Sequence, residues 1–157
     1  MAFRACEAPE TMDIRSYGTS DEEAVVALWQ ECGLTRAWNN PRLDIARKLT
    51  EQPELFLVGT VEGTLIATAM VGFDGHRGWA YYLAVSPNHR RRSYGRSLMR
   101  EAERLLLARG CPKLNLLVRS SNADILEFYR KLGYVERGPF GAYQPDPLSL
   151  FMEKQLS

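Results

Sequence analysis

Arg90, Arg91, Arg92, Ser93 and Arg96 stand within seven residues of one another, with Tyr94 and Gly95 between them. They follow directly on the apolar run Ala80-Tyr-Tyr-Leu-Ala-Val85 and the turn Ser86-Pro-Asn-His, and they open into an amphipathic helix. The first amides of a helix have no intrahelical acceptor, and the positive end of the helix dipole lies among them. A basic, glycine-containing loop at that point captures anions. The expected ligand is phosphorylated and lies beside the end of a strand. Three arginines alone are a solvated surface loop; Gly95 and the helix start change that reading.

The elements that position this loop follow from periodicity. Ile14 and Ser16 straddle Arg15 in a short first strand, and Ser20-Asp-Glu-Glu23 reads as a capping box with Ser20 at the cap. Ala24, Val25, Leu28, Trp29 and Cys32 make one helical face, stopped by Gly33. Asn40 caps a second helix with Pro41 in its first turn, whose buried side is Leu43, Ile45, Ala46 and Leu49. Leu55–Val58, Thr64–Val71 and Trp79–Val85 read as strands joined by turns at Glu62-Gly63 and Asp74–Gly78. Leu98, Met99, Ala102, Leu105, Leu106 and Ala108 form the apolar side of the helix after the loop, and Gly110 ends it. Strand Leu114–Val118, helix Asn122–Leu132 and strands Tyr134–Arg137 and Leu148–Met152 follow. Two strands joined by a crossover helix run parallel. The fold class is α/β with a mixed sheet.

Composition narrows the function. The chain has 157 residues, and Lys+Arg 20 against Asp+Glu 19 leaves a net charge of +1, too little field for a general nucleic-acid binder. Cys6, Cys32 and Cys111 offer neither metal-ligand spacing nor a disulfide framework, which points to a reducing compartment. No apolar run reaches membrane-spanning length and Met1–Thr11 has no signal-like core, so a cytoplasmic protein is expected. Residues 1–11 read as an N-terminal extension and 12–157 as a single domain. The loop lacks Gly-Lys-Ser/Thr, which argues against a nucleotide phosphotransferase.

Open α/β sheets bind ligands beyond the carboxyl ends of their strands. If the strands ending at Val85 and Val118 splay apart, Leu83 and Val85 keep unpaired backbone groups that an amide-bearing ligand can fill. A pyrophosphate joined to an amide-bearing arm describes coenzyme A. At this point Arg90-x-x-Ser93-x-Gly95 resembles the acyl-CoA motif of the GNAT N-acetyltransferases, and Asn122…Tyr129-x-x-Leu132-Gly133-Tyr134 resembles their late helix motif. The resemblance runs from about Asp13 to Met152. Trp38-Asn39 and the Asp74–Tyr82 segment look most like the bacterial YpeA group.

The resemblance implies a mostly antiparallel, twisted sheet of six to seven strands, about four helices and splayed parallel central strands. It implies acetyl-CoA as cofactor, a small-molecule or peptide amine as acceptor, and direct attack on the thioester. Amides from Arg91 to Arg96, with Arg90, Arg91 and Arg92 assisting, would hold pyrophosphate through Ser93, Tyr94 and Gly95. Leu83, Val85 and Asn122 would meet the pantetheine arm, and Tyr129 would protonate the departing thiolate. Asn122 also suits a helix cap, and Tyr129 a core position. Ser93 stands where the family commonly has glycine; it keeps the amide and adds a hydroxyl, with binding retained if φ stays negative. Asp74, His76 and Glu31, or a carboxylate acting through water, are candidates for the base, although a Gly-flanked turn accounts for Asp74 and His76. Trp38, Asn39 and either Tyr81 or Tyr82 would line the acceptor side, the two tyrosines alternating across their strand. A sensor or interaction domain that binds acyl-CoA without turnover is the alternative, and exposed sheet edges near the C-terminus suit a homodimer.

Overall fold

Two tight turns and alternating apolar patterning build the first half of the sheet. In the computed structural model, which describes residues 11–139 and 149–157, β1 (Asp13–Ser16), β2 (Phe56–Val61), β3 (Thr64–Phe73) and β4 (Gly78–Val85) pair in order, all antiparallel. Glu62 and Gly63, at φ 49° and 78°, supply the twist that closes β2 onto β3. Beyond β4, α3 (Tyr94–Ala108) crosses over to a parallel β5 (Lys113–Arg119). After α4 (Ala123–Lys131), β6 (Val135–Arg137) and β7 (Ser149–Gln155) complete a seven-stranded order β1-β2-β3-β4-β5-β7-β6. The expected mixed, mostly antiparallel sheet is therefore present. The expected extension lies, apart from Thr11, outside the described residues, as does Leu148. Among the described residues no helix is long and apolar enough to cross a membrane.

Each sheet face buries its own apolar cluster. α1 (Glu22–Glu31) and α2 (Pro41–Lys48) set Val25, Leu28, Trp29 and Ile45 against Phe56, Val58, Met70 and Ala84. On the other face Leu98, Met99, Ala102 and Leu106 of α3 meet Ala67, Ala69, Val71, Leu114 and Leu116. Asn40 caps α2 as expected, its side chain accepting from the Arg42 amide at 2.9 Å. Two local readings change. Asp21, not Ser20, organises the start of α1: its carboxylate accepts from the Gly18 amide at 2.8 Å and takes both nitrogens of Arg15. Leu43 and Ala46, read as part of the buried side of α2, are exposed, because α2 rests on the sheet through Ile45 alone among its fully buried residues.

β4 and β5 share only two rungs, Gly78 with Leu114 and Trp79 with Asn115. Beyond Trp79 the parallel strands diverge into a wedge, as the splayed arrangement requires. The divergence coincides with a bulge: Thr68 pairs with Ala84 and Met70 with Tyr81, so Tyr82 and Leu83 together oppose Ala69. Tyr82 carries the bulge at φ 50°.

Candidate active site at the mouth of the wedge

The loop after β4 is a cradle of amides. Arg91 and Ser93 both lie at positive φ, 62° and 66°, the backbone conformation from which anion-binding nests are built. Ser93 is the N-cap of α3 and makes no side-chain capping bond. The first intrahelical bond runs from the Ser97 amide to the Ser93 carbonyl at 3.0 Å, so the amides before it have no intrahelical acceptor. The condition of a negative φ at Ser93 is not met: the chain takes the conformation suited to glycine with a residue that has a β-carbon. Tyr94 buries its ring in the α3 core, leaving its backbone to the loop. A Cβ on Gly95 would meet Phe128 at 3.4 Å and Val85 at 3.6 Å, so this glycine keeps a narrow gap between β4, α3 and α4.

The arginines divide. Arg90 turns back, donating from Nε to the Val85 carbonyl at 3.1 Å and from Nη2 to Cys32 Sγ at 3.5 Å. Cys32 Sγ donates to that same carbonyl at 3.5 Å. The Val85 carbonyl is therefore engaged within the protein, which leaves the Val85 amide as the group of that residue for a ligand. Arg91, Arg92 and Arg96 are exposed, and no ion pair joins them to any described residue. Their charge stays at the cradle.

On the other side of the wedge the bulge overrides strand alternation. Ala80 faces α3, which sends Tyr81 to the opposite face; the bulge then repeats that face at Tyr82. Tyr81 is half exposed and stacks on Trp79, with centroids 6.3 Å apart. Tyr82 stacks on the buried Trp29 at 3.9 Å, and its hydroxyl accepts from Asn39 Nδ2 at 2.9 Å. Asn39 and Tyr82 are brought together, whereas Trp38 is 83% exposed. Asp44, which no motif marked, completes the group: Oδ2 accepts from the Tyr82 hydroxyl and from Asn39, and Oδ1 from Arg47. Burial works to raise the Asp44 carboxyl, but bonds from Tyr82, Arg47 and Asn39 outweigh it and hold the group ionised. Burial and that carboxylate together push the Tyr82 hydroxyl up to about 12.

α4 closes the wedge beside the cradle. Asn122 caps it, accepting from the Ile125 amide at 3.2 Å, and is exposed. Tyr129 is 6% exposed, edge-on to both Phe128 and Tyr134. Burial raises its hydroxyl pKa above the usual tyrosine value, so the proton is retained at neutral pH. Gly133, at φ 95°, ends the helix and sends Tyr134 inward to donate to Glu103 at 2.9 Å.

A strained amide cradle at the mouth of a two-rung parallel wedge has close counterparts. The family model described as the acetyltransferase (GNAT) family matches residues 17–134. The chain belongs to the GNAT acetyltransferase family. A Yersinia pestis protein named acetyltransferase is 50% identical over 123 residues, covering 78% of this chain and 87% of its own length. The solved ribosomal-protein-S18-alanine N-acetyltransferase of Escherichia coli superposes with a TM-score of 0.75 at 25% identity, covering 94% of this chain and 95% of its own. The fold is shared too by a PaiA N-acetyltransferase of Thermoplasma acidophilum, solved with coenzyme A, with a TM-score of 0.76 at 19% identity over 92% and 99% of the two chains. The protein is an N-acetyltransferase.

Within this GNAT chain, Asp74 and His76 stand apart from the rest. They occupy the β3–β4 turn, at the end of β4 away from the cradle. Asp74 Oδ1 accepts from the amides of His76 and Arg77 at 2.9 and 2.8 Å, and Oδ2 from Trp79 Nε1 at 3.3 Å. Burial acts to raise this carboxyl, but the backbone donors from Arg77 and His76 prevail and lower it, which weakens it as a base. His76 is exposed at the turn. The geometry fits coenzyme A at the other end: amides at positive φ, three arginines without an ion pair among the described residues and a side-chain-free Gly95 suit a diphosphate, and the wedge suits an amide-bearing arm.

Proposed function

We propose that this acetyltransferase uses acetyl-CoA as donor and a primary amine as acceptor, with direct attack on the thioester. The observation that carries the reading is the two-rung β4–β5 pairing with an amide cradle at its open end. Acetyl-CoA supplies an activated thioester. Amides of residues 91–96, with Arg91, Arg92 and Arg96, hold the diphosphate; Arg90 acts by bracing the loop. Leu83 and the Val85 amide pair with the pantetheine arm, and Asn122 reaches the same arm from the start of α4. As the new C–N bond forms and the C–S bond breaks, Tyr129, kept protonated by burial, gives its proton to the departing thiolate, whose free pKa of about 8.5 makes it a tolerable leaving group; the acceptor nitrogen gives up its proton to solvent, from which Tyr129 is reprotonated. Trp38, Asn39, Tyr81 and Tyr82 line the acceptor side. A second copy would pair at the short β6 edge, where Val135 faces outward.

The test is thiol release from acetyl-CoA across a panel of amines and free-N-terminus peptides, beside a calorimetric titration with CoA. Amine-dependent release is expected. Tight CoA binding without release by any acceptor would favour a sensor instead. Gly95→Val, which forces a branched side chain between Phe128 and Val85, should abolish CoA binding in a folded protein.

A further inference from the structure

Tyr82 is a bulky residue in the left-handed region, a conformation that costs about 1–3 kcal/mol and persists only where surroundings over-determine it. Four contacts do so. Its ring stacks on Trp29 with an interplanar angle of 11°. Its carbonyl accepts from Thr68 Oγ1 at 2.9 Å, and that oxygen accepts from Trp29 Nε1 at 2.9 Å. Its hydroxyl donates to Asp44 Oδ2 at 2.5 Å and accepts from Asn39. Of these partners Asp44 alone lies on α2, and it grips both Tyr82 and Asn39.

We propose that Asp44 is a positioning residue: by anchoring the Tyr82 hydroxyl to α2 it holds the β4 bulge, and through the bulge the opening of the wedge against the pantetheine arm. The inference rests on the acetyl-CoA reading above. The bulge occupies Tyr82 and Leu83, the last β4–β5 rung is at Trp79, and the cradle begins only after Val85. Loss of the anchor therefore changes the arm's surroundings and spares the diphosphate's. Asp44 touches no reacting atom in this scheme. Its carboxylate serves as acceptor for a tyrosine proton, a task that an asparagine carbonyl also performs.

The experiment compares two ligands by calorimetry on wild type, Asp44→Ala, Asp44→Asn and Tyr82→Phe. CoA carries diphosphate and arm; 3′-phosphoadenosine 5′-diphosphate carries the diphosphate alone. Asp44→Ala and Tyr82→Phe should weaken CoA about tenfold, the scale of one lost alignment bond, with the nucleotide held within about twofold. Asp44→Asn should restore most of the CoA affinity, and amide exchange at residues 82–85 should quicken in Asp44→Ala and Tyr82→Phe but not in Asp44→Asn. Unchanged CoA affinity in Asp44→Ala, or equal weakening of both ligands, overturns the positioning role. A wild type that binds neither ligand overturns the acetyl-CoA reading itself.

Discussion

Arg90 Nε lies 3.1 Å from the Val85 carbonyl, so the first arginine of the basic loop grips the strand it has just left. Its guanidinium also reaches Cys32, at the end of α1. The loop is braced by one arginine and charged by the others.

That division has a salt signature. Arg91→Ala and Arg92→Ala should each weaken CoA binding about three- to tenfold at low ionic strength, with the loss shrinking as salt screens exposed charge. Arg90→Ala should weaken it by a factor that salt does not change, because its bonds are short contacts to a carbonyl and a sulfur. Titrations at two salt concentrations check both.

Ser93→Gly should stabilise the protein. The serine sits at φ 66° without a capping bond, and a left-handed L-residue costs about 1–2 kcal/mol; the greater freedom of glycine when unfolded returns part of that. A net gain of roughly 1 kcal/mol by urea denaturation is expected, while Ser93→Ala keeps the strain and brings none.

Tyr129→Phe should leave stability within about 0.5 kcal/mol, since no described residue bonds the hydroxyl, and lower kcat by about a hundredfold. Burial raises the Tyr129 pKa, so the wild-type rate should show no loss attributable to it below pH 10. A kcat equal to wild type in Tyr129→Phe removes the acid role.

Acid should loosen the start of α1. The Arg15 hydrogen bond lowers the Asp21 carboxyl below its ordinary 3.8 against an opposing burial cost, with the Gly18 amide adding to the effect. A folded pKa below the unfolded one contributes stability above about pH 4 that fades as pH falls through the folded value. Asp21→Asn should remove this part of the acid sensitivity and lower stability at neutral pH. Denaturation at pH 3 and pH 7 measures it.

Helix α2 shows how far local pattern reached. Asn40 and Pro41 named its start correctly, because capping is settled within three residues. Its expected buried face fails at Leu43 and Ala46, because only the sheet decides which apolar side chain is covered. Asp44 looked like an ordinary acid at a helix start and carried no motif, its meaning lying in a tyrosine 38 residues away. The alternation of Tyr81 and Tyr82 was a fair inference for a regular strand and failed at the bulge, which register alone reveals.

The order of strands and helices, the amide loop before α3 and the Asn122–Tyr134 helix with its glycine stop were determined by sequence, since each depends on spacing within a few turns of chain. Tertiary structure decided which arginine braces and which face the solvent, the left-handed Ser93 and Tyr82, and the grip of Asp44 on the bulge. Those features come from contacts between segments far apart in the chain, where the gain from packing exceeds what local preference alone would allow.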